Sequence, residues 1–232
     1  MPTLADRLLD LILCFKPERA LLPAGVGLLN PLRGEHGAEV QRIVTAFHHG
    51  FFNDNDPRML LLGINPGRFG AGLTGIAFTD PNDVREVLGI PHELPDSRPE
   101  TSSRFFKQLV LAADGPVQFY SKVYVHSVFP FGFTCTGNNG KAVNLNYYHR
   151  KDLAEAIRPL ATEWLKGLIA AGCRSDHALC LGKGENFRFL QELSIFNRIT
   201  PLEHPRFIMQ YRAKSADRYL SLIHISEPTR PY

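Results

Sequence analysis

Residues 59–67 read MLLLGINPG. Met59 to Ile64 is a short, unbroken apolar run, with Pro57 before it and Asn65-Pro66-Gly67 after it. A run of that length between breakers predicts a strand covered on both faces, the kind found in parallel sheets. Working outward, helical and strand signals alternate. Leu4, Leu8, Leu9, Leu11, Ile12 and Phe15 recur at a helical period. Residues 17–32 are rich in Gly and Pro and read as irregular, and a second helix is predicted over 38–52. Asn82 or Asp83 is placed to cap a short helix ending near Leu88, and Thr101-Ser102-Ser103 to cap one reaching Ala113. Residues 122–129 alternate and are β-branched, which predicts a second strand. The spacing then predicts a polar loop over 134–144 and a long helix over 152–171 with Trp164 on its apolar face. A third strand over 177–181, a helix over 186–193 and a fourth strand over 198–202 follow. His204 opens a further loop, and Ala213 starts a last helix.

Strands alternating with helices predict an α/β fold: a three-layer α/β/α sandwich around a mainly parallel four-stranded sheet, in a single domain spanning residues 1–219. Such sheets bind ligands beyond the carboxyl ends of their strands. The first, second and fourth strands lead into GINPG, the 134–144 loop and HPRFIMQYR. Three polar segments are therefore expected at one mouth.

Composition narrows the function classes. A chain of 232 residues suits one domain with a full core. No stretch of about 18 apolar residues occurs, so no membrane span is expected. The first 17 residues lack a leader pattern, so a cytoplasmic protein is expected. Net charge is only +3 and announces no polyanion partner. Locally, however, Arg206, Arg212, Lys214 and Arg218 outnumber Asp217. Cys14, Cys135, Cys173 and Cys180 match no zinc or iron–sulfur spacing, so no metal or cluster is expected. Cys173 and Cys180 lie in or beside apolar segments and read as buried thiols. Residues 220–230, LSLIHISEPTR, resemble the translation of a transposon-end sequencing adapter, and residues 220–232 are set aside as a non-native tail. The alternative reading is a terminal strand through residues 222–225.

The strand over 59–64 delivers Asn65 to its carboxyl end, Pro66 fixes the turn, and Gly67 lets backbone approach a ligand closely. A carboxamide there can hold a water by donor and acceptor together, although it cannot deprotonate it strongly. Taken whole, GINPGRFGAGLTGIAF resembles the first motif of the uracil-DNA glycosylase superfamily, in its single-strand-selective monofunctional branch. The resemblance rests on Gly63, Ile64, Asn65, Pro66 and Gly67, then Phe69-Gly70, Thr74-Gly75 and Phe78, with His204-Pro205 matching the second motif. It is nearest to a bacterial subgroup.

The resemblance implies a monomeric, cofactor-free enzyme that flips uracil or a related damaged base from DNA and hydrolyses its glycosidic bond. It implies that Asn65 places the water, Phe78 stacks on the base, and His204 bonds the base carbonyl as charge develops. Gly63, Ile64, Pro66 and Gly67 would line the base pocket. Asn144 would read the pyrimidine edge, with Asn146 or Asn139 as alternatives. The loop after His204-Pro205 would supply the wedge, from Met209 or Gln210, with Arg206 and Arg212 on phosphates. Gly182-Lys183-Gly184, between a strand and a helix, suits a backbone phosphate. No lysine beside the motifs suggests a Schiff base, so no lyase step is expected. A non-catalytic reader of damaged DNA is the competing interpretation. A nucleotide-dependent enzyme is a third, disfavoured because no GK[ST] motif follows the glycines.

Overall fold

The structure, a computed structural model, describes residues 1–17, 22–98 and 100–212. The helix expected from Ala213 and the tail from 220 lie outside the described residues. Helix α1 (Leu4–Cys14) starts at a capping box: Asp6 N–H donates to Thr3 Oγ1, and Thr3 N–H donates to the Asp6 carboxylate. Helix α2 (Gly37–Phe51) packs on it. The deciding stretch is strand β2 (Arg58–Gly63), and every one of its residues is buried. The segment before α2 holds a short strand, β1 (Gly27–Leu29), inside what reads as irregular sequence.

After β2 the chain forms the short helices α3 (Ala71–Thr74) and α4 (Pro81–Glu86). The cap of α4 is Asp80, whose side chain accepts the Asp83 N–H, rather than Asn82 or Asp83. Pro81 at the first helical position fixes that start. Helix α5 (Thr101–Ala112) begins at Glu100 with no side-chain cap. Ser102 and Ser103 therefore do not cap: they are buried inside the first turn. Helix α6 (Pro116–Lys122), unmarked by periodicity, leads into β3 (Val123–Ser127).

The expected 134–144 loop is instead largely a hairpin, β4 (Gly132–Thr136) and β5 (Ala142–Leu145), joined to β1 in an antiparallel sheet ordered β1-β4-β5. Its short strands with polar, exposed residues carry little hydrophobic alternation, so the sequence hides them. Helix α7 (Lys151–Ala171) carries Trp164 at zero exposure. Strand β6 (Cys173–Leu181), helix α8 (Glu185–Glu192), strand β7 (Arg198–Leu202) and helix α9 (Pro205–Tyr211) complete the described chain. Residues 205–211, expected as loop, are thus helical: His204 caps them by accepting the Arg206 N–H on Nδ1, and Pro205 stands at the first position.

The main sheet has the order β3-β2-β6-β7 and all its pairs are parallel. β2 and β3 are buried throughout, as flanking helices require. Both are central to one aliphatic and aromatic core that includes buried Cys173 and Cys180. Arg58, 1% exposed, opens β2. Its guanidinium donates to Tyr120 O at 2.8 Å, Asp56 O at 2.6 Å and the Asp54 carboxylate at 2.6 Å, so the buried charge is fully engaged. The chain leaves β2 toward β3 on one side and later returns to β6 on the other. The crevice between the carboxyl ends of β2 and β6 is the topological switch point where such folds place ligands.

Candidate active site

A cavity of about 400 Å³ opens at that switch point, inside the roughly 300–1,000 Å³ range of ligand pockets. Asn65, Phe78 and His204 all contribute to its wall, brought together from the loop after β2, the segment before α4 and the end of β7. Ile64, Pro66, Gly67 and Asn144 also line it, whereas Gly63 lies just beneath.

The Asn65 carboxamide is held at both ends by the last residue of β5 and the chain just after it. Its Nδ2 donates to Leu145 O at 3.1 Å, and its Oδ1 accepts the Tyr147 N–H at 3.2 Å. Those two bonds fix which end of the amide is which and leave one Oδ1 lone pair free. Behind them, Tyr147 O–H donates to buried Asn186 Oδ1 at 2.6 Å, and Asn186 Nδ2 donates to Leu181 O at 3.1 Å. A buried polar chain thus ties Asn65 to α8 and the end of β6. The sequence gives no sign of Tyr147 and Asn186, because neither lies in a motif and their partners are remote in the chain.

Phe78 forms one wall as a flat ring. It stacks on Phe106 with centroids 4.6 Å apart and planes at 8°. Its backbone is left-handed, with φ of 55°, an uncommon conformation for a bulky residue and one found at sites where geometry is imposed from outside. The ring covers Gly63 so closely that a β-carbon there would lie 2.6 Å from Phe78 Cζ. Only glycine fits.

His204 stands 6.2 Å from Phe78, ring centroid to ring centroid. Burial first, and the charge of Arg206 second, push its pKa down to about 4. It is neutral at pH 7. Because Nδ1 accepts the Arg206 N–H, the proton of the neutral ring sits on Nε2. The imidazole is therefore an oriented neutral donor.

Other expected residues are placed as follows. Asn144 reaches the cavity edge, but its Oδ1 accepts from the Arg68 N–H at 3.1 Å and from Arg68 Nε at 3.2 Å. Asn146 also lines the cavity, donating to Tyr148 O–H at 2.9 Å, while Asn139 accepts the Lys141 N–H in the hairpin turn and is not in the wall. Ser127, which ends β3 opposite Gly63, adds a hydroxyl-bearing residue that sequence reading missed. Its place at a strand's carboxyl end was the available signal. On α9, Phe207, Gln210 and Tyr211 face the mouth, Ile208 is buried, and Met209 is half-buried outside the wall. Arg206 lines the cavity and Arg212 is exposed just past the helix. Gly182 and Gly184 line it too, but Lys183 pairs with Glu203 at 2.9 Å.

A sequence model of the uracil DNA glycosylase superfamily matches residues 49–224. The chain belongs to the uracil DNA glycosylase superfamily. The crystal structure of wild-type SMUG2 from Pedobacter heparinus is similar over 96% of both chains, with a TM-score of 0.89 and 40% identity. The rat single-strand selective monofunctional uracil-DNA glycosylase is 32% identical over 113 residues, 41% of this chain and 40% of that protein. The match thus spans under half the length of that curated relative. Asn65 and His204 lie near opposite ends of the matched segment. No helix among the described residues is long and apolar enough to cross a membrane.

Proposed function

We propose that this member of the superfamily is a monofunctional DNA glycosylase, acting as a monomer without metal or cofactor. It accepts uracil or a related damaged base flipped from DNA and hydrolyses the bond joining base to deoxyribose. The observation that carries this reading is the meeting of an oriented amide, an oriented neutral imidazole and a stacked aromatic wall around one base-sized cavity.

Cleavage leaves the bonding electron pair on the base and positive charge on the sugar. His204 Nε2–H is a preorganised donor for the base carbonyl that takes up this negative charge. One such donor is typically worth about 2.7–4 kcal/mol. The free lone pair of Asn65 Oδ1 accepts a hydrogen bond from the attacking water and aims its oxygen at the sugar carbon. An oxocarbenium-like sugar needs that placement more than a strong base. The new C–O bond replaces the broken C–N bond, and the water's proton passes to solvent or to the departing base. Phe78 supplies a face for the base, and extrusion costs a few kcal/mol that stacking and pocket contacts must recover. No lysine lines the cavity among the described residues, which favours simple hydrolysis over a Schiff-base route. Gln210, Phe207 and Tyr211 are the candidates to fill the vacated stack, and Arg212 a candidate phosphate contact.

The test is base release from a uracil-containing oligonucleotide, read as alkali-labile abasic sites, with and without EDTA. Asn65→Ala is expected to slow the chemical step about 10²–10³-fold while DNA binding survives. Tight binding of the lesion with no base release by the unaltered protein would instead identify a non-catalytic reader.

A further inference from the structure

A cavity built for a polyanion carries an acid in its wall. Glu100 precedes α5, yet its side chain does not cap that helix. It turns instead toward the loop that follows Asn65, where its carboxylate lies against the main chain of residues 67–70. The approach is close: a β-carbon on Gly67 would lie 2.7 Å from Glu100 Oε1, and one on Gly70 2.6 Å from Oε2. On its other side Glu100 feels the charge of Arg206, which in turn acts on His204 and Tyr148. α5 packs against α9, so the two ends of this arrangement are set by helix packing. Burial raises the Glu100 pKa above the ordinary range, so keeping a carboxylate here is costly and needs compensation.

We propose, resting on the glycosylase reading, that Glu100 is a positioning residue: it ties the loop carrying Asn65 to the helix start carrying His204 and Arg206. One carboxylate packs against the 67–70 backbone and offsets the nearby Arg206 charge. The asparagine and histidine loops therefore keep a fixed separation while DNA enters. Arg206 lines the cavity near this carboxylate, and phosphate capture falls to other cations. This explains why an acid persists where it repels the substrate. It touches no reacting atom.

The experiment compares the wild type, Glu100→Gln and Glu100→Asp in single-turnover base release and in equilibrium binding of a uracil oligonucleotide across salt concentrations. A loop shift of about 1 Å at the water-placing amide is expected to slow release about 10²-fold in Glu100→Gln. Binding should not weaken, because repulsion of phosphate is removed. Its salt slope should steepen by about 0.9 as Arg206 becomes available to one phosphate. Glu100→Asp keeps the charge but is one methylene shorter, so its release should slow while the salt slope stays that of the wild type. It decides the matter if Glu100→Gln does not fold. Wild-type release rates in the variants that fold, or loss of rate and affinity together with an unmoved salt slope, would overturn the proposal. An inactive wild type would overturn the glycosylase reading instead.

Discussion

Asn65→Asp is nearly isosteric, and the structure makes it costly. One carboxylate oxygen keeps the Tyr147 N–H. The other replaces Nδ2 and faces Leu145 O, an acceptor at 3.1 Å, with no proton between them. Opposing two acceptors in a partly buried place costs about 1–3 kcal/mol. At 1.36 kcal/mol per unit, that raises the new carboxyl by about one to two units above the ordinary aspartate value near 3.9. A carboxyl whose pKa is raised by folding is no burden when protonated, below its unfolded value. Its penalty grows as pH rises through its folded value, roughly 5–6, and is complete near pH 7. Urea unfolding of variant and wild type, at pH 3.5 and pH 7.5, reads the difference directly. The deficit should be small in acid and about 1–3 kcal/mol at neutral pH. Base release at pH 7.5 should slow by about 10²-fold, because the ionised group must rotate away from Leu145 O and misplaces the water. A variant as stable and as fast as the wild type at pH 7.5 would show that the amide is not held as described.

Replacing His204 by Asn retains a helix cap for the Arg206 N–H but deletes the Nε2 donor; base release should fall about 10²–10³-fold with little change in melting temperature. Because the His204 pKa is pushed down to about 4, the wild-type rate should show no inflection near pH 6.5, and a clear one there would contradict the neutral-donor assignment. Buried His48 and His126, held to about 4 and about 3 mainly by burial, bind protons in the unfolded chain that the folded one refuses. Stability should therefore be complete above about pH 6.5 and decline as pH falls toward 4, by on the order of 3 kcal/mol from His48 alone; a flat profile in urea titrations would refute it. Arg212→Ala should flatten the salt dependence of DNA binding by about 0.9, and Arg206→Ala by less, since Glu100 already balances that charge.

The sequence alone determined the four strands of the main sheet and the motif residues. β2, β3 and the second half of β6 are buried, and their apolar runs follow from the need to cover both faces of a parallel sheet, a requirement local enough to be read residue by residue. Asn65 and His204 were legible because each sits beside a proline at a strand end. Tertiary structure alone decided what those residues can do. The hairpin of β4 and β5 reads as a polar loop because its largely exposed strand β5 needs no apolar alternation, yet the last residue of β5 and the chain just after it supply both partners of the Asn65 amide. The protonated nitrogen of His204 is set by a helix start that the sequence presents as loop. Tyr147, Asn186 and Glu100 carry no pattern of their own. Their partners lie far away in the chain, and a hydrogen bond is specified by where two atoms meet in space, which no run of neighbouring residues encodes.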